Sequence, residues 1–240
     1  WTRKINKLGE PVIDTAEPAN VQVALKYKEL TGGLKLQHDN FKGISTIWDT
    51  NLGENGPGFI DLTAKHITRL RGALSTHPEL RMKVSTSEML EQVNLFLSSA
   101  SVDSGINAIE CLPEWDGVER LKYYGRDILK AVNNSYVEDL GRYIFVAAVS
   151  RIVLAPIRVD GVPIFIGAQK CGKSRTISGM ALVPEYYTDL TLGENRGDMY
   201  RQIAGKSIVG LDELAGMNRS EASSLKNFIT QPHDEWTPKF

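Results

Sequence analysis

Cysteine is scarce in this sequence, with two residues among 240, and no apolar run approaches the length of a membrane helix. Two cysteines are too few for a disulfide framework, which favours a reducing compartment. A bilayer span needs about 20 consecutive apolar residues, and the sequence has neither such a run nor a signal peptide. We therefore expect a soluble, cytoplasmic protein with no membrane partner.

An excess of charge is also lacking, because 28 basic and 29 acidic residues leave a formal net charge of −1. Nucleic-acid binding would therefore have to come from a local basic patch. The apolar content of 42% suffices for a packed core, and the length allows one large or two moderate domains. Because the chain begins at Trp1 and stops at Phe240, we expect it to be a piece of a longer protein.

Glycines recur at a phosphate-binding spacing in residues 167–174, which read G-A-Q-K-C-G-K-S. In the pattern G-x-x-x-x-G-K-[ST], backbone N–H groups curl around a polyphosphate, and Gly167 and Gly172 stand where a Cβ would block close approach. Lys173 would meet the β- and γ-phosphates, and the Ser174 hydroxyl would meet Mg²⁺. We expect ATP and Mg²⁺ to be bound here, with contacts from Gly167, Ala168, Gln169, Lys170, Cys171, Gly172, Lys173, Ser174 and Arg175.

A glycine-rich turn before Lys-Ser also arises by chance, so the context of the loop matters. The apolar residues 162–166 have the length and β-branched content of a buried strand, and residues 175–182 are typical of a helix. This is the strand–loop–helix order that phosphate loops require.

Two acids, Asp212 and Glu213, follow a second short apolar strand over residues 206–211. Open parallel sheets bind ligands at such strand ends. Asp212 would hold Mg²⁺, while Glu213 would polarise the water that attacks the γ-phosphate. The alternative is that both acids only cap the following turn. Lys173, Asp212 and Glu213 are the predicted catalytic residues, and Ser174 and Asp212 the predicted metal ligands.

The order of elements predicts an α/β protein with a phosphate-loop parallel sheet and flanking helices, preceded by a mainly helical α+β module. Residues 186–190 favour a strand, and residues 196–204 and 220–229 favour helices. We divide the chain into an accessory module (1–105), a helical lead-in (106–160) and the phosphate-loop core (161–240). Only three strands follow residue 161, against about five in a typical sheet, so we expect a C-terminally incomplete core.

The accessory module combines a predicted helix over residues 20–30, a hairpin from residues 34–37 and 43–48, and two helices beginning near Thr63 and Ser87. This suits a winged-helix-like module, in which Arg69, Arg71, Arg81 and Lys83 would face DNA. Because acids are interleaved, a solvated helix face is the alternative that we favour. The lead-in predicts helices over residues 118–132 and 136–154, the second well buried.

Several segments together resemble one known family. They are Trp115-Asp116-Gly117 with Arg120, the long helix, the phosphate loop, Tyr187-Thr188-Asp189, the strand ending at Asp212-Glu213-Leu214, and residues 225–230. In this order they resemble the virulence-associated E family over about the second half of the chain. The resemblance implies a superfamily-3-like helicase, an AAA+-like ATPase of phages and mobile islands that acts on DNA in bacterial host cells as a ring, usually a hexamer.

The sequence departs from that family in residues 234–240, where Thr237 stands in place of an expected arginine and a Tyr-Gly-Arg tail is absent. Our first hypothesis is an ATP-hydrolysing replicative DNA helicase or initiator module of a phage or mobile element. The alternative is a DNA-binding or partner-binding initiator that nucleotide regulates without efficient hydrolysis. A small-molecule kinase would need a substrate lid and an acceptor pocket, for which no sequence is present.

Overall fold

Two structural units follow each other along the chain, Trp1–Asp103 and Ser104–Phe240. A computed structural model describes residues 1–49, 58–190, 196–211 and 219–229. Each unit is mixed α/β, as the sequence predicts. None of the helices within these ranges has the length and apolar character needed to cross a bilayer.

The first unit is built on a four-stranded sheet. Its elements in chain order are β1 (Arg3–Ile5), β2 (Pro11–Ile13), α1 (Ala19–Leu25), β3 (Lys35–Asp39), β4 (Ile44–Asp49), β5 (Gly58–Asp61), α2 (Ala64–Thr76), α3 (Thr86–Ser99) and β6 (Ser101–Val102). The order in the sheet is β5-β4-β3-β6, while β1 and β2 form a separate hairpin. The predicted hairpin is confirmed, since β3 and β4 pair antiparallel with Leu36 opposite Ile47.

The core of this unit lies where α1, α2 and α3 cover the sheet. Ile67, Leu70 and Leu74 are buried on one face of α2, as their spacing predicts. Helix α3 begins with a capping box: the Glu88 amide donates to Ser85 Oγ, and the Ser85 amide donates to the Glu88 carboxylate. Local sequence signals therefore place both helices correctly.

The second unit opens with helices. Its elements are α4 (Ser104–Glu110), a 3₁₀ turn (Leu121–Tyr123), α5 (Tyr124–Asp127), α6 (Ser135–Val153), α7 (Lys173–Ser178), a 3₁₀ turn (Pro184–Tyr186), β7 (Tyr187–Asp189), α8 (Arg196–Ile203), β8 (Ile208–Gly210) and α9 (Arg219–Ile229). Helix α6 confirms the second lead-in helix within one residue at each end. Its N-cap is Asn134, which accepts from the Val137 amide.

The prediction of the other lead-in helix, over residues 118–132, is wrong. A hydrogen-bonded turn at the start of this range keeps its first residues out of a helical conformation. Gly117 has a φ of +78°, and Asp116 accepts from the Val118 amide and from both Arg120 Nη atoms. The hydrogen bonds from Arg120, with that from Val118, lower the pKa of Asp116 to about 2. Helical structure begins only at Leu121 and ends at Asp127, before Lys130 adopts a φ of +55°.

The prediction that α6 is well buried is also wrong. Only Gly141, Ile144 and Ile152 are buried along its length. The exposed large hydrophobic side chains of α6 are those of Tyr136, Tyr143, Val146, Val149 and Val153. The apolar content thus predicts that α6 is a helix, but it does not predict which face of the helix is buried against other elements.

Strands β7 and β8 form a parallel pair, with Thr188 opposite Val209. Both lie where the sequence predicts strands, and helix α8 lies between them in the chain, as in a crossover connection. Helix α7 contacts β8. The expected parallel pairing is confirmed for these two strands.

Candidate phosphate-binding loop

Residues 167–172 form an exposed turn that ends at the first residue of α7. Gly172, the N-cap of that helix, has a φ of +91°, and Lys170 has a φ of +61°. Both values lie in the left-handed region, which glycine adopts at no steric cost. The second glycine of the motif therefore stands where the backbone needs one.

Lys173 folds back over the loop that precedes it. Its ammonium donates to the carbonyl oxygens of Gly167 at 2.9 Å and Ala168 at 2.8 Å, and lies 3.8 Å from Cys171 Sγ. The beginning and the end of the motif are therefore tied together by one cation. The result is a ring of backbone around a positive charge.

Gly167 is closely approached by the side chains of this ring. A Cβ at this position would lie 3.3 Å from Cys171 Sγ and 3.8 Å from Lys173 Cδ. The first contact is tighter than most Cβ contacts, so a larger residue would push the cysteine away. Cys171 is an exposed free thiol that helps to fill the turn.

The remaining predicted loop residues lie along the same turn. Ala168, Gln169 and Lys170 are exposed, and the amides of residues 168–172 donate no backbone hydrogen bond to another described residue. Helix α7 then begins, with the Thr176 hydroxyl and amide both donating to the Gly172 carbonyl. Ser174 and Arg175 lie exposed in its first turn.

The apolar segment before the loop departs from the prediction. Residues 162–166 pair with no strand in the described part of the chain, and the side chains of Ile164 and Ile166 are 67% and 94% exposed. The predicted buried strand is therefore wrong for this structure, because a strand forms only when a neighbour accepts its backbone hydrogen bonds. The Tyr143 hydroxyl instead holds the segment's start, accepting from the Gly161 amide and donating to its carbonyl.

The predicted acid pair, Asp212 and Glu213, lies outside the described residues. Strand β8 ends at Gly210, two residues before Asp212. The direction of β8 agrees with the sequence prediction that the acids follow a strand of a parallel pair. Among the described residues, no group of His, Cys, Asp or Glu side chains is arranged to hold a metal ion.

A polar pair that sequence reasoning missed lies at the same strand ends. The Tyr187 hydroxyl donates to the Asp189 carboxylate, and Asp189 stands opposite Gly210 in the sheet. A Cβ on Gly210 would overlap the Tyr187 hydroxyl. Alternation along β7 already puts both side chains on one face, but only the structure shows that a glycine opposite makes room for them.

The basic residues proposed to face DNA in the first unit are partly engaged elsewhere. Arg69 forms an ion pair with Asp49, which is 3% exposed, and Arg71 Nε donates to the Val84 carbonyl at 2.9 Å. Arg81 and Lys83 are exposed. Two of the four cations are thus tied into the fold, in keeping with the alternative of an ordinary helix face.

Comparison with known sequences identifies the second half of the chain. A sequence model of the virulence-associated protein E-like domain matches residues 109–240, which is more than half of the chain. No curated protein matches the sequence. The matched region contains the candidate phosphate-binding loop, α6 and the β7–β8 pair, which are among the segments on which the resemblance rests. The chain therefore belongs to the virulence-associated protein E-like family.

Proposed function

We propose that residues 167–174 bind the phosphates of ATP, and that the protein hydrolyses ATP as part of a DNA helicase or replication initiator. The observation that carries this proposal is the closure of the loop around the Lys173 ammonium. A cation within a turn of backbone is the arrangement that a triphosphate needs. Family membership supports a protein associated with a phage or mobile element.

Binding would exchange the partners of Lys173. Its ammonium now contacts two neutral carbonyl oxygens, whereas phosphate oxygens carry charge. A contact between the ammonium and a phosphate oxygen adds the attraction between two opposite charges, which a neutral carbonyl oxygen does not supply. Lys173 would therefore leave Gly167 and Ala168 for the phosphates, and the amides of residues 168–172 would donate to the same anion.

Ser174 and Asp212 are the residues proposed to hold Mg²⁺, and Glu213 is proposed to orient and deprotonate water. When bound, Mg²⁺ would neutralise part of the negative charge of the phosphates. Ser174 is the second residue of α7 and directly follows Lys173. Its hydroxyl therefore belongs to the same turn as the proposed phosphate contacts. DNA as the polymer acted on, and assembly into a hexameric ring, belong to the same proposal and come from the family resemblance.

Calorimetry of Mg-ATP binding tests the site. Lys173→Ala should abolish measurable binding because it removes the ammonium that closes the loop. Lys206→Ala is the matched control: this lysine lies in the same unit and donates to the Glu185 carbonyl, so its loss should leave ATP affinity unchanged. Equal affinity in Lys173→Ala and the parent would refute the site.

Hydrolysis is tested separately with Glu213→Gln. This variant should bind Mg-ATP like the parent and lose about 10²–10⁴ in turnover, the usual contribution of a general base. A parent protein that binds ATP without turnover would instead support a nucleotide-regulated initiator.

A further inference from the structure

One hydroxyl group ties the long helix of the second unit to the chain that leads into the candidate phosphate-binding loop. Tyr143, on α6, accepts a hydrogen bond from the Gly161 amide at 2.9 Å and donates one to the Gly161 carbonyl at 3.2 Å. Both backbone groups of one residue are therefore bonded to the same oxygen atom. The apolar residues 162–166 separate Gly161 from Gly167, the first residue of the loop.

Gly161 leaves room for this contact because it has no side chain. A Cβ at this position would overlap the Tyr143 hydroxyl and lie 2.7 Å from Cζ of the same ring. Such distances do not occur between well-packed atoms, so a side chain would force the segment and the ring apart. The tie thus depends on two matched features, a hydroxyl on α6 and a missing side chain opposite it.

Among the described residues, this tie is the last one before the loop. Residues 162–166 form no hydrogen bond to another residue in that part of the chain. The next tie to α6 upstream is the hydrogen bond from Arg151 Nη1 to the Ile157 carbonyl, at 3.4 Å. Without the Tyr143 hydroxyl, the stretch that is not tied to α6 would nearly double, from residues 162–166 to residues 158–166.

The tie gains importance when the loop binds a phosphate. In the free loop, the Lys173 ammonium holds the carbonyl oxygens of Gly167 and Ala168, which it would release on binding a triphosphate. The far end of the loop stays anchored, because α7 contacts β8. Within the described residues, the near end would then be held to the fold through Gly161.

We propose that Tyr143 is a positioning residue for ATP binding, because its hold on Gly161 restricts the segment that carries the first half of the loop. A shorter free stretch loses less conformational entropy when the amides of residues 168–172 close on a polyphosphate. Tyr143 acts through Gly161 and does not itself touch the nucleotide. The inference rests on the proposed function, since it concerns the same ATP site.

Calorimetry of Mg-ATP binding to the full chain tests the role of the hydroxyl. Tyr143→Phe keeps the ring and should weaken binding by about two- to threefold, since each doubling of a flexible stretch changes closure by about this factor. In ATP hydrolysis, the same variant should raise KM and leave kcat unchanged, because the tie acts on binding and not on the chemical step. Tyr136→Phe is the matched control: Tyr136 lies on the same helix and is 72% exposed, so its variant should bind like the parent.

Gly161→Ala disturbs the same contact from the other side and should weaken binding by a similar factor. If both residues act through one contact, the double variant should bind no more weakly than either single variant. Hydrogen exchange of the Gly161 amide, measured by NMR without ATP, should be faster in Tyr143→Phe than in the parent. It should be unchanged in Tyr136→Phe.

Parent-like affinity in Tyr143→Phe would overturn the proposal, and it would leave the ATP site intact if Lys173→Ala still abolished binding. A parent protein that binds no Mg-ATP would overturn both. Losses that multiply in the double variant would show that Tyr143 and Gly161 act separately, which also contradicts the proposal. Thermal unfolding of each variant completes the test: weaker binding that comes with a lower unfolding temperature would count as a loss of fold and against a positioning role.

Discussion

His66 shows how one buried side chain makes stability depend on pH. Its Nδ1 accepts from the Thr63 amide at 3.1 Å, which satisfies a free N–H at the start of α2. Burial lowers the pKa of His66, and the positive charges of Arg69 and Lys65 add to this, while Asp49 opposes it. His66 therefore stays neutral to a lower pH in the folded protein than in the unfolded chain, and just below the unfolded pKa it takes up a proton on unfolding.

The first unit should consequently lose stability in mild acid. Because the pKa of His66 is lower when folded, its contribution is complete above the unfolded value of about 6.5 and declines as the pH falls through the folded pKa. Urea unfolding between about pH 7.5 and pH 5 measures this loss. His66→Gln, which keeps an acceptor for the Thr63 amide but does not titrate, should show a smaller loss; an identical pH profile would contradict the assignment.

For single residues, the sequence predicts which side chains matter better than it predicts which contacts they make. The motif predicts that Lys173 and Gly172 matter, and Gly172 does adopt the left-handed conformation. It does not predict that the ammonium binds the loop's own carbonyls. Nor does the sequence mark His66 for its role, because the capping contact with Thr63 depends on the geometry of a single helix end.

At the scale of elements, two helical glycines respond differently to the same change. A Cβ on Gly72 in α2 would meet nothing within 4 Å, whereas one on Gly141 in α6 would lie 2.5 Å from the Leu121 carbonyl oxygen. Gly141 therefore allows the 3₁₀ turn Leu121–Tyr123 to approach α6 closely. Helix propensity favours alanine at both positions, and packing opposes it at only one.

Alanine substitution should separate these two effects. Gly72→Ala should stabilise the first unit by about 0.5–1 kcal/mol. Gly141→Ala should destabilise the second by about 1–3 kcal/mol, because the added methyl group forces the turn away. Thermal unfolding of both variants measures the signs. If Gly141→Ala also raised stability, α6 and the turn would not be in contact.

Elements with their own periodicity and caps were predictable, and those that depend on distant neighbours were not. Helix α6 and strands β7 and β8 follow from apolar spacing alone. Residues 118–132 were misjudged because Gly117 and the Asp116–Arg120 pair hold a turn that composition does not reveal. Residues 162–166 have the composition of a strand, but a β-strand also needs a neighbouring strand with which its backbone can form hydrogen bonds.

For the whole molecule, the division into two units predicts that ligands act on one unit at a time. Mg-ATP at about a hundredfold excess over its Kd should stabilise the unit that binds it by about 2.7 kcal/mol. The candidate phosphate-binding loop lies in Ser104–Phe240. Differential scanning calorimetry should therefore show an upward shift of the transition that Gly141→Ala lowers, with no shift of the one that Gly72→Ala raises. A single transition that Mg-ATP shifts as a whole would show that the units unfold together.

The exposed apolar segment before the candidate phosphate-binding loop affects how the chain behaves in concentrated solution. Residues 162–166 combine open backbone groups with the exposed side chains of Ile164 and Ile166. Pro163 has no N–H and so blocks part of this segment, but residues 164–166 can still act as a template to which strands of other molecules add edge to edge. We therefore expect aggregation of this chain to begin at the residues that lead into the candidate phosphate-binding loop.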